Sequence, residues 1–191
     1  IKPISEIADI IKNERENRLK NNNPTPIYLL TDASQALNLL DISVTRIGAD
    51  MLVMNSAKIG GPKGVGALYL AHGVKVTPQI LGGGQERGLR SGTENVAGTI
   101  GFAAAIKAAK SHLKSNRKKY ESLTKILKDA LKKYDPIFPG TEKSRLANFC
   151  PVILKGLDAE RLIFMLEDQN IYLSTGAACA ANKGQASHVL K

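Results

Sequence analysis

Four groups of residues have types and spacings suited to chemistry. Thr31-Asp32-Ala33-Ser34-Gln35 follows the apolar run Ile27-Tyr28-Leu29-Leu30. Such a run reads as a buried strand delivering polar residues at its C-terminal end. A carboxylate there needs a cationic partner, because an unpaired buried charge is costly, and Asp32 reads equally well as the cap of the next helix. The second group, Asn55-Ser56-Ala57-Lys58, follows the strand-like Asp50–Asn55. A lysine just past a buried strand, among small residues, can be desolvated and so act as a nucleophilic amine. Asn55 and Ser56 supply donors suited to a phosphate. Lys63 is followed by Gly64 rather than Ser or Thr, so the Walker pattern fails, and either lysine alone reads as a solvated side chain.

The third group is the loop Gly82–Thr93, with two arginines and a glutamate among its glycines. Glycines let a backbone approach an anion closely and the arginines add charge, although internal salt bridges would explain the same composition. In the fourth, Cys179 lies in the small-residue run Ser174–Ala181 straight after a strand-like segment, which suits an accessible thiol as well as a small core residue. Cys150, between Phe149 and Pro151, reads as an ordinary buried thiol. His188 would serve a Cys–His protease, but nothing in the sequence orients it.

These groups need elements to hold them. Ile4, Ile7, Ile10 and Ile11 mark an amphipathic helix to about Lys20, ended by Asn21–Pro26. The runs at 27–30, 50–55 and 66–70 read as strands of an α/β sheet with helices on its faces. A helix follows from about Val96, then a basic helix to about Lys133. Strands at Ala147–Leu154 and Ile171–Leu173 flank a helix opened by Asp158 as N-cap, with Ala159, Leu162, Ile163 and Leu166 on one face. Residues 1–105 are expected to form part of a large domain, 106–144 a basic connecting helix and linker, and 145–191 part of a small α+β domain.

Composition narrows the function classes. The 191 residues are 43% hydrophobic and 23% charged, a globular balance. No apolar run reaches the ~18 residues of a membrane span. Two cysteines without CxxC spacing exclude a disulfide scaffold and predict no metal site, and the absence of a signal-peptide pattern makes a cytoplasmic setting the expectation. The net charge of +10 invites a nucleic-acid reading, but residues 107–133 hold ten Lys or Arg against Glu121 and Asp129, which is +8 of it. Without an aromatic stacking platform, this reads as the solvated face of one helix, and no direct nucleic-acid contact is expected.

Together the groups are more specific than any one. An Asp at a strand end, Gln three residues on and a Lys after the next strand is how a pyridoxal phosphate site is built. Through TDASQA, KIGGPKGVGALYL, GGGQERGLRSGTENV and LSTGAACAA the sequence resembles the cysteine desulfurases of the class V aminotransferase group. The resemblance implies a partial chain of a fold-type-I enzyme: part of a mostly parallel large domain with flanking helices, plus part of a small C-terminal domain. It implies pyridoxal 5'-phosphate as cofactor, with Asp32 at the pyridinium nitrogen, Gln35 at the ring hydroxyl and Lys58 as the Schiff-base lysine. Asn55, Ser56 and Ala57 fall at the phosphate, although Ala57 stands where the family commonly has His. Thr93 matches a residue that reaches the phosphate of a neighbouring subunit, implying a homodimer. Cys179 matches the nucleophile that takes sulfur from L-cysteine as a persulfide, passes it to acceptor or iron–sulfur scaffold proteins, and in some members meets a transient iron–sulfur cluster. The implied activity supplies sulfur for iron–sulfur clusters and thiolated tRNA. A selenocysteine lyase or other class V lyase is the nearest alternative, and a non-catalytic basic nucleic-acid-binding or scaffold domain is one of another class.

Overall fold

A computed structural model describes residues 1–175. The chain divides into two compact units, one of Ile1–Glu121 with Leu146–Asn148, the other of Ser122–Arg145 with the chain from Phe149 onward.

In the first unit, helix α1 (Ile4–Lys20) turns Ile4, Ile7, Ala8, Ile11 and Arg15 inward and leaves Ile10 exposed. Strands β1 (Leu30–Asp32) and β2 (Met51–Asn55) pair in parallel, with Asp32 opposite Val53, through a crossover containing the short helix α2 (Val44–Ile47). Strand β3 (Gly66–Leu70) returns antiparallel to β2, giving the order β1-β2-β3. Among the described residues the expected sheet is thus part parallel and part antiparallel. Leu52, on the middle strand, is fully buried; Ala33, Leu39, Ala49, Phe102 and Ala109 complete the core of this unit. One carboxylate ties three elements together: Asp50 accepts from the Arg15 guanidinium at 2.5 Å and from the Leu29 N–H at 2.7 Å.

Helix α3 (Val96–Leu131) is a single 36-residue helix, about 54 Å long at ~1.5 Å per residue. The sequence predicts two successive helices here. No proline interrupts the segment, so one helix runs through. The Asn95 side chain accepts from the Gly98 N–H at 2.9 Å, and Gly98 is buried where a Cβ would overlap Val65 and Asn95. The lysine-rich face is exposed, as expected.

In the second unit, helix α4 (Ala159–Glu167) is capped as the sequence predicts, the Asp158 carboxylate accepting from the N–H groups of Glu160 at 3.0 Å and Arg161 at 3.1 Å. Asp158→Ala is expected to cost about 1 kcal/mol. Urea unfolding of the full-length protein measures it, and an unchanged midpoint would show the cap to be dispensable. The strand expected at 147–154 reduces to one antiparallel bridge, Ile137 with Ile153, its two N–H···O contacts both 2.9 Å. Pro151 has no N–H to give a ladder there. No strand forms at 171–173 among the described residues. Lys128 lies over the Phe138 ring at 5.4 Å.

Candidate functional site at the carboxyl ends of two parallel strands

Asp32 and Asn55 end β1 and β2, and the register places them at the same edge of the parallel pair. Beyond the carboxyl ends of parallel strands, successive loops diverge and leave a crevice, the usual ligand position in open α/β sheets. Asp32 is exposed, and its Oδ1 accepts from the Ser34 N–H at 2.9 Å. The Ser34 hydroxyl and N–H together hold this carboxyl below the ordinary aspartate range, against a small opposing effect of burial. Asp32 is therefore anionic at neutral pH. It also starts the turn that follows, in which Ala36 N–H donates to the Ala33 carbonyl at 2.9 Å. No helix follows Asp32 directly, the chain running in turns over residues 34–39 and the next helix being capped by Ser43, so Asp32 holds a turn and does not cap a helix. Gln35 is exposed in this turn.

A lowered folded-state value has a defined sign. The stabilisation it carries is present above the ordinary aspartate value and lost as pH falls through the lowered one. Ser34→Ala removes the larger, hydroxyl contribution, so the Asp32 carboxyl should titrate at higher pH than in the parent protein. NMR of the side-chain carboxyl carbon measures this, and an unmoved titration would show that the hydroxyl does not act on it.

Past β2, a 3-10 turn (Ser56–Ile59) carries Lys58. The Asn55 side chain accepts from the Ala57 N–H at 2.9 Å, Gly61 N–H donates to the Ser56 carbonyl at 3.0 Å, and Ser56 N–H donates to the Val65 carbonyl at 3.0 Å. Ala57 and Lys58 are exposed, as is Lys63. What distinguishes the two lysines is position, since only Lys58 sits on the turn leaving β2 beside the end of β1. Ser56 is fully buried.

The Gly82–Thr93 loop is ordered by residues the sequence reading did not single out. Ser91 is buried, its N–H donates to the Ile80 carbonyl at 3.0 Å and its hydroxyl accepts from Gly84 N–H at 3.3 Å. The Gln85 side chain accepts from Gly92 N–H at 3.0 Å. Their only sequence signal is a polar side chain set among glycines. Glu86, Arg87, Arg90 and Glu94 form no ion pair among the described residues, so salt bridges do not account for the loop. Glu86 and Arg87 hold left-handed backbone, φ +49° and +60°, a strained state for residues with a Cβ. Thr93 is exposed at the end of this loop.

The structure thus brings Asp32, Gln35 and the Asn55–Lys58 turn to one edge of the sheet, with Thr93 on a separate loop of the same unit. Cys179 and His188 lie outside the described residues, and Cys150 is a half-buried free thiol. Among the described residues no cluster of His, Cys, Asp and Glu could hold a metal ion.

Comparison with known proteins covers nearly the whole sequence. The profile of the family Aminotransferase class-V matches residues 3–190. Cysteine desulfurase IscS of Methanosarcina thermophila is 38% identical over 191 residues, all of this chain and 45% of that protein. Cysteine desulfurase IscS 1 of Archaeoglobus fulgidus is 37% identical, again over all of this chain and 47% of its own length. The chain spans about half the length of the curated relatives it matches. Among solved structures, a NifS-like protein superimposes with a TM-score of 0.80 at 32% identity, over 92% of this chain and 46% of that one. The NifS-like protein of Rickettsia africae gives 0.82 at 29%, over 96% and 48%. The expected fold, part of a fold-type-I large domain, is borne out by these likenesses. With a family match from residue 3 to residue 190, the chain belongs to the aminotransferase class-V family.

Proposed function

We propose that the full protein containing this chain is a pyridoxal-phosphate-dependent cysteine desulfurase, which converts L-cysteine to L-alanine and leaves the sulfur on Cys179 as a persulfide. The observation that carries this reading is an ionised Asp32 and the Lys58 turn at adjacent strand ends, in a chain that aligns over its whole length with proteins named cysteine desulfurase. Those names support it over a selenocysteine lyase or a nucleic-acid-binding domain.

The residues present fit the cofactor. An exposed anion, an exposed primary amine and an exposed amide are the donor set a phosphorylated pyridine aldehyde requires. When bound, the cofactor supplies an electron sink that lets the substrate's Cα proton leave. Asp32 would hold a proton on the pyridine nitrogen by pairing with its charge, Gln35 would orient the ring hydroxyl, and Lys58 would provide the amine that anchors the aldehyde carbon. Asn55, Ser56 and Ala57 stand where the phosphate would be held, through the Asn55 side chain and the main chain, since the Ser56 hydroxyl is sealed and Ala57 offers no polar side chain. Cys179 as thiolate would attack the sulfur of cysteine; an S–S bond forms as the Cβ–S bond breaks, Cβ takes up one proton, and return of the proton lost from Cα completes alanine.

Thr93 reaching a second copy makes the working unit a homodimer, and the exposed Leu81, Val96 and Ile100 offer apolar surface for it. The persulfide passes by thiol exchange to acceptor or iron–sulfur scaffold proteins, and Cys179 is the residue that would meet a transient cluster. Residues 1–105 belong to the cofactor-binding domain, 106–144 to the connecting helix and linker, and 145–191 to the small domain. We place the protein in the cytoplasm; no helix among the described residues is long and apolar enough to cross a membrane. The test is alanine formation from L-cysteine by the full-length protein with added cofactor. A protein that binds the cofactor but forms no alanine above the enzyme-free blank overturns the reading.

A further inference from the structure

Two neighbouring glycines close the turn that presents Lys58, and they are glycine for different reasons. Gly60 adopts φ +80° with nothing within 4 Å of a notional Cβ, so it answers a demand for left-handed backbone. Gly61 has no such φ. A Cβ there would overlap the Ser56 hydroxyl and lie 3.0 Å from the Ala105 methyl and 3.2 Å from the Ser56 carbonyl oxygen, so it answers a demand for space. The side chain claiming that space is unusual. Ser56 is 0% exposed, and its hydroxyl has no hydrogen-bond partner among the described residues. A sealed, unpartnered hydroxyl is unfavourable and calls for an explanation.

The surroundings give one. Ser56 and Gly61 bracket Lys58 in sequence, and the Gly61 N–H donates to the Ser56 carbonyl at 3.0 Å. The main-chain bond draws the two residues together, and the hydroxyl packed into the missing side chain of Gly61 stops them at a fixed separation. Ala105 of α3 backs the same contact. We propose that Ser56 and Gly61 form a shape lock that sets the geometry of the turn, making Gly61 a positioning residue for Lys58. The consequence for Lys58 rests on the desulfurase reading; the lock itself does not.

A double-mutant cycle in the full-length protein tests it, read as the thermal midpoint without cofactor and as the Kd for pyridoxal phosphate by visible absorbance. Gly61→Ala is expected to lower the midpoint by about 4 °C or more and to raise the Kd at least about tenfold, because misplacing a reacting group by ~1 Å has large consequences. Ser56→Ala combined with Gly61→Ala vacates the disputed space and should recover half or more of both losses. If Gly61→Ala is not recovered folded, a folded double variant counts as that recovery. Asp50→Ala, which breaks the clasp at the other end of β2, is the control; with a similar midpoint loss it should leave the Kd within about twofold. A double variant no better than Gly61→Ala overturns the lock, and this is also the result expected if the Ser56 hydroxyl were needed as a ligand donor. An Asp50→Ala protein with equally weakened binding reduces Gly61 to a structural role and overturns the positioning claim. If Lys58→Ala binds the cofactor as tightly as the parent, the site reading fails while the midpoint arm still decides the lock.

Discussion

Lys58→Ala in the full-length protein should abolish the visible absorbance of the bound cofactor and reduce alanine formation by three orders of magnitude or more, the approximate scale of losing an essential covalent group. Lys63→Ala should leave both within about twofold, because a lysine on the surface away from the strand end contributes little. The two are five positions apart, both exposed, and equal in chemistry. Only placement separates them. Lys58 lies on the 3-10 turn leaving β2, whose parallel neighbour ends in the ionised Asp32; Lys63 follows Pro62, beyond the Gly60–Gly61 closure of that turn. Borohydride reduction of the holoenzyme followed by peptide mapping gives an independent reading, since it fixes the cofactor to the amine that carries it. A label on Lys63, or a coloured Lys58→Ala protein, would mean that the strand-end geometry does not select the reacting lysine.

The parts of this fold that the sequence makes legible are those determined locally. The isoleucine spacing of α1, the apolar runs ending in Asp32 and Asn55, and the Asp158 cap are patterns within a few residues, and the structure has each of them. Features requiring a distant partner are not legible in this way. The antiparallel direction of β3 depends on how Gly66–Leu70 meets β2 across the intervening turn. The segment 147–154 has strand-like composition, but a strand needs a ladder, and among the described residues only Ile137 answers it, at Ile153.

The candidate site divides along the same line. Asp32, Gln35 and Lys58 are recoverable because strand ends deliver ligand-binding residues. Ser56 and Gly61 are not, because their meaning depends on Ala105, far along the chain on α3. Ser91 and Gln85 are not legible for a related reason: the arginines of the Gly82–Thr93 loop carry its charge, whereas two neutral side chains hold its backbone. The desolvated environment expected for the reacting lysine is also absent from this chain's described residues, since burial of a side chain at a sheet edge depends on what packs over that edge.

Cys179→Ser separates cofactor chemistry from sulfur transfer. The variant should bind pyridoxal phosphate as the parent does, because Asp32, Gln35 and Lys58 are untouched, yet release no sulfide in the presence of a thiol reductant. A serine hydroxyl is not ionised at neutral pH and cannot hold a second sulfur as a persulfide, so turnover to alanine should fall by roughly 10³-fold or more. Cys150→Ser should retain activity within about twofold. That thiol is half-buried, between Phe149 and Pro151, without the small flanking residues that surround Cys179 in the sequence. Persulfide labelling during turnover, followed by peptide mapping, should therefore place the label on the peptide containing Cys179. Retained sulfide release by Cys179→Ser would move the nucleophile elsewhere. A label on Cys150 would show that the half-buried thiol becomes accessible during turnover and that the small-residue run does not mark the reactive cysteine.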